Sequence, residues 1–158
     1  MATVMQATPG QPELAAWRAF LTAHARVSEV LERELMAARG LPLTWYDVLV
    51  QLEEAPGGRL RMHDLAAAVL LSRAGLTRLV DRMAGAGLVR RAACEEDRRG
   101  TYVELTREGR EALAAAAPVH LEGIERHFTG HLTPEETAAL RAALGRIADR
   151  LEPATAAS

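Results

Sequence analysis

The segment spanning residues 63–106 restricts the fold more than any other part of this sequence. Residues 63–70 and 72–86 read as two short helices separated by a tight turn, with Ser72 capping the second. Within the second, Leu76, Leu79, Val80 and Met83 fall at i, i+3, i+4 and i+7, which turns one stripe toward a core. Arg78 points the opposite way, flanked by Ala74, Thr77, Asp81 and Arg82. After Gly87 the pattern changes: LVRRAAC and TYVELT are β-capable runs joined by EEDRRG, which reads as a hairpin. A helix-turn-helix followed directly by a β-hairpin wing is therefore expected.

The flanks are helical. Residues 13–39 carry Leu14, Trp17, Leu21, Ala25 and Leu31 at helical spacing, and Gly40 with Pro42 supplies the stop. Thr44 reads as the cap of a second helix, with Asp47 as its capping-box acid, running to about residue 55 before PGG forces a turn. Arg59 to Arg61 reads as a very short strand. Thr106 caps a long helix that is expected to bend near Pro118. Thr133, Pro134 and Glu136 supply cap, first-turn proline and capping-box acid for a closing helix through about Leu151. The fold class is thus mainly α with a small β-hairpin wing, in one domain over residues 13–151 with loose tails at 1–12 and 152–158. At 158 residues, 49% of them hydrophobic, the chain suits one core better than two.

Charge singles out the middle of the chain. Residues 59–110 hold 11 Arg against 7 acids, a local balance of +4 within a chain of net charge −2. A positive patch on an acidic body is the footprint expected where phosphates dock and release counterions. Small residues near a helix N-terminus permit close approach to a major groove, where Arg78 can pair with guanine O6 and N7; the plainer reading of that face is a solvated helix surface. On the hairpin tip, Arg98 and Arg99 would reach the adjacent backbone or minor groove, with Asp97 orienting a guanidinium. The alternative is that Asp97 closes the turn and the charges keep a strand edge soluble.

The extended run GRLRMHDLAAAVLLSRAGLTRLVDRMAGAGLVRRAACEEDRRGTYVELTREG resembles the winged helix-turn-helix core of the MarR family of transcriptional regulators. The resemblance rests on Ser72 with LTRLVDRM, then AGLVRR, DRRG and LT, and on flanking helices of matching order. It implies a winged helix-turn-helix over about 44–106 and dimerisation helices at about 13–39 and 107–151. It also implies a homodimer on a pseudo-palindromic double-stranded operator, with Ser72, Arg73, Ala74, Thr77, Arg78, Arg82, Asp97, Arg98 and Arg99 at the DNA. Two amphipathic helices at opposite ends of the chain fit a two-fold pairing.

The resemblance further implies a repressor released by a small aromatic or phenolic effector, with His24, Trp45 and Tyr46 as pocket candidates. Core packing is the competing use of the two aromatics, in a chain with only 4% aromatic residues. Alternatives are a protein-interaction adaptor, or a sensor of oxidation through the lone Cys94 beside Arg90 and Arg91. His120 and His127 share a helix face, but with His131 they lack a convincing ligand spacing, so neither metal nor cofactor is expected. No nucleophile elbow, phosphate loop or HExxH run is present, which argues against an enzyme. The lone cysteine, the absence of a secretory signal pattern and apolar runs far short of ~20 residues point to the cytoplasm and away from a membrane span.

Overall fold

The computed structural model describes residues 10–69, 71, 73–93 and 100–151, and the side chain of Arg73 is outside the description. Six helices and three strands run in the order α1 (Gln11–Arg39), α2 (Leu43–Glu54), β1 (Arg59–Arg61), α3 (Met62–Ala68), α4 (Arg73–Gly85), β2 (Val89–Ala93), β3 (Thr101–Leu105), α5 (Arg107–His127) and α6 (Pro134–Leu151). The strands form one antiparallel sheet in the order β1-β3-β2, with Arg61 opposite Tyr102 and Arg91 opposite Val103. The hairpin and the very short strand are both present. The tails lie almost wholly outside the described residues, although α1 begins at Gln11, inside the expected N-terminal tail.

The predicted stops and caps hold at most boundaries. Gly40 ends α1 in the left-handed region at φ 62°, and its N–H donates to the Met36 carbonyl at 2.8 Å, a conformation that costs glycine nothing. Thr133 and Glu136 form the reciprocal capping box of α6 at 3.2 and 2.9 Å. The start of α2 differs from expectation. Pro42, not Thr44, is the cap residue, and no side chain of α2 caps it. Instead Glu32 of α1 accepts the Leu43 N–H at 2.6 Å. A carboxylate brought over by the tertiary fold satisfies the orphan donor and complements the helix dipole. The chain stays helical through Pro118 within α5.

The core centres on α2, whose Val48, Leu49 and Leu52 are fully buried among α1, α3, α5 and the sheet. From α4, Leu76, Val80 and Met83 are fully buried and Leu79 nearly so. Each such side chain contributes ~1.5–3 kcal/mol of burial, enough together to fix the helix in orientation. Helices α1 and α5 pack along each other, closely enough that a Cβ added at Gly123 would fall 2.7 Å from Leu31 Cδ2. Helix α6 has no buried residue and makes no extensive contact with another helix or strand of its own chain.

Candidate nucleic-acid interface

The buried stripe of α4 dictates what its other face offers. Ala74, Thr77, Arg78, Asp81 and Arg82 are all exposed, as the periodicity predicts. Neither Arg78 nor Arg82 is paired with an acid among the described residues. Asp81 is engaged: its Oδ1 accepts from Arg91 of β2 at 2.7 Å, and the same Arg91 nitrogen lies 3.5 Å from the Thr77 carbonyl. The arginine of one wing strand is thus tied to the exposed face of the helix, fixing the direction of the wing relative to α4. Ser72, Asp97, Arg98 and Arg99, together with Cys94, lie outside the described residues.

From sequence, Arg90 and Arg91 were named only as neighbours of Cys94, and the tie of Arg91 to α4 was not expected. The signal was the two-residue alternation of β2, which places Arg91 on the same face as buried Val89, toward α4. The opposite face of the sheet carries a polar set. Glu104, largely covered, pairs with Arg90 at 2.6 Å and Arg59 at 3.7 Å. The Arg59 and Arg61 guanidiniums stand 4.7 and 5.7 Å from the centre of the Tyr102 ring, within cation–π range.

One hydroxyl joins the wing to the next helix. Thr106 Oγ1 accepts the Gly109 N–H at 3.0 Å as the predicted cap, and donates to the Gly87 carbonyl at 2.6 Å. The exit from α4, the end of β3 and the start of α5 therefore meet at a single side chain.

Behind the helix-turn-helix, a cleft of about 360 Å³ opens between α2, α3 and α5. Of the three pocket candidates, only Tyr46 lines it, with its ring centre 4.4 Å from that of His120. Trp45 is half-buried against the core, and His24 is exposed on α1, 6.3 Å from the Phe20 ring centre. Asp47 and His120 also line the cleft and were not among the candidates. Burial raises the affinity of the Asp47 carboxyl for its proton, an effect opposed by His120 and reinforced by Glu32, although Asp47 keeps an exposed surface. Burial lowers the His120 pKa, against the pull of Asp47. Burial, then the charge of Asp47, raises that of Tyr46.

The histidines of α5 differ in their contacts: His120 faces Tyr46, whereas His127 bonds Glu34 of α1 at 2.7 Å. Among the described residues no cluster of three potential metal ligands forms, and no helix is long and apolar enough to cross a membrane.

Comparison with known proteins converges on one family. A sequence model of the MarR family matches residues 39–100. The transcriptional regulator HosA of Escherichia coli is 35% identical over 91 residues, a match that spans 58% of this chain and 65% of HosA. The HTH-type transcriptional repressor YetL of Bacillus subtilis is 31% identical over 126 residues, covering 80% of this chain and 74% of YetL. Among solved structures, the MarR family regulator Sco3205 of Streptomyces coelicolor, crystallised in complex with DNA, superposes with a TM-score of 0.88 at 34% identity, over 96% of this chain and 95% of that one. The chain belongs to the MarR family of transcriptional regulators.

Proposed function

We propose that this chain acts as a homodimer that binds a pseudo-palindromic DNA duplex, represses transcription there, and is released by a small effector. The observation that carries the DNA-binding reading is α4 itself, which is anchored by four core residues and presents on its open face two arginines that no acid pairs among the described residues. In this reading α4 enters the major groove, Arg78 reads a guanine edge, and Thr77, Ala74 and Arg73 settle the helix against the duplex. Ser72 stands at the start of α4, Arg82 contacts phosphate, and the wing carries Arg98 and Arg99, oriented by Asp97, to the neighbouring minor groove. The DNA complex of the Streptomyces relative and the repressor role in the name of the Bacillus relative support this reading. It makes the protein a regulator rather than a catalyst.

Dimerisation follows from surface that one chain leaves uncovered. Trp17 and Leu21 of α1 are 56% and 44% exposed, and Ile147 and Leu151 of α6 are 55% and 76% exposed. Pairing these helices about a two-fold axis covers them and sets the two copies of α4 about one helical turn of DNA apart, ~10 base pairs. The cleft beside Tyr46 lies between α3 of the helix-turn-helix and α5, so an aromatic or phenolic effector seated there would alter how the reading heads are held. A tenfold loss of DNA affinity requires ~1.4 kcal/mol of differential binding.

The test is selection of duplexes from a random pool by the purified protein, followed by salt titrations on the winning sequence. Arg78→Ala should relax base preference at one position per half-site by ~1–3 kcal/mol. Arg99→Ala should weaken binding with less change in sequence ranking, except at A/T-rich flanks. Wild-type behaviour by either variant removes the role assigned to that residue.

A further inference from the structure

We infer that the cleft between α2, α3 and α5 is built for a cationic, amine-bearing aromatic compound and selects against carboxylates, with Asp47 as the counter-charge. The inference rests on the effector reading above and narrows the chemistry of that effector. The cleft is lined by Tyr46, Asp47, Val50, Gln51, Ala68, Val69, His120, Leu121 and Ile124, and none of these is an arginine. The chain contains no lysine, so no side-chain ammonium is available either. An anionic ligand would therefore enter an apolar cleft with no cation among its described lining residues and a carboxylate already in the wall.

His120 does not supply the missing positive charge. Its Nδ1 is buried with no hydrogen-bond partner among the described residues, so a proton placed there would be desolvated and unpaired. Burial lowers the His120 pKa, in agreement with that geometry. Burial, and less strongly nearby Glu32, which holds the Leu43 N–H, raise the Asp47 pKa, while His120 opposes them. A carboxylate in such surroundings has more to gain from an arriving ammonium than one in open water.

The remaining walls suit the body of such a molecule. Tyr46 and His120, with ring centres 4.4 Å apart and planes inclined at 46°, pack on each other and place aromatic carbon in the wall. Val50, Val69 and Ile124 supply apolar surface, and about 360 Å³ falls within the range of small-molecule sites, roughly 300–1,000 Å³.

Three naphthalene derivatives that differ in charge test this on the intact protein by titration calorimetry: 1-naphthylmethylamine, 1-naphthoate and 2-naphthol. The amine should bind at least tenfold more tightly than either of the others. Asp47→Asn should erase that preference while leaving the helical circular dichroism unchanged, since among the described residues Asp47 takes part in none of the hydrogen bonds that cap or join the helices. Equal or tighter binding of 1-naphthoate or 2-naphthol, a preference that survives Asp47→Asn, or no saturable binding of the amine overturns the inference. Displacement of DNA is measured separately. An amine that binds through Asp47 yet leaves DNA affinity unchanged supports the site and refutes its role as the effector site.

Discussion

Replacing Gly109 by alanine tests the junction on which the wing is mounted. Gly109 is buried in the first turn of α5, and a Cβ built on it falls onto the Leu88 carbonyl oxygen and 2.7 Å from Leu105 Cδ1. The leucine methyl can rotate away, but the carbonyl is backbone and already accepts the Thr106 N–H at 3.2 Å. Relief requires α5 to lift from the base of the wing. Overpacking of this kind costs ~1–3 kcal/mol, and disturbing the Leu88–Thr106 hydrogen bond adds ~1 kcal/mol. The helix preference for alanine over glycine returns up to ~1 kcal/mol. The net expectation is a destabilisation of about 2 kcal/mol, or a fall of ~4–8 °C in Tm for a chain of this size. Urea unfolding followed by circular dichroism measures it, at one fixed chain concentration because association contributes to stability. Gly85→Ala is the control: nothing lies within 4 Å of the added Cβ, and that variant should be neutral or more stable. Gly109→Ala as stable as wild type would mean that α5 and the wing are not in the tight contact described.

Two further outcomes follow from the helical flanks. Sedimentation at micromolar concentration should show one species of about twice the 17.1 kDa chain mass, and Ile147→Arg should shift it to monomer; a wild-type monomer there would contradict the dimer. The second concerns acid. The His127 hydrogen bond, with the charges of His127 and Arg126, holds the Glu34 carboxyl below its ordinary value of 4.5 against the opposing effect of burial. A depressed carboxyl pKa contributes stability above the unfolded value and loses it as pH falls through the folded one. Glu34→Gln should therefore flatten the decline in urea midpoint below about pH 4.5, and an unchanged acid limb would remove the α1–α5 pair from the account.

What the sequence made legible was whatever depends on local period. The inward stripe of α4, the two β runs, the Thr106 cap and the Thr133–Glu136 box all involve residues within one or two turns of each other. The misassigned cap of α2 shows the limit: Thr44 has suitable chemistry, but the donor at Leu43 is met by Glu32 from another helix. No local pattern encodes that encounter. Trp45 and Tyr46 form an intermediate case. Tyr46 shares its spacing with Leu49 and Leu52, the buried side, whereas Trp45, turned about 100° from it, is only half-buried and lies outside the cleft. That distinction was available. The meeting of Asp47 and His120 at one cleft was not, because it brings together residues from opposite halves of the chain.

The bare surface of α6 also bears on how the protein is made. An isolated helix of 18 residues is marginal in water, and α6 finds little support within its own chain. If its order comes from a second copy, the final folding step is bimolecular and slows as the chain becomes scarce. In the proposed DNA-binding reading, while most chain is unpaired and most operator free, occupancy then grows with the square of the amount of newly made chain, so a modest fall in synthesis would clear the DNA more sharply than a monomeric regulator allows.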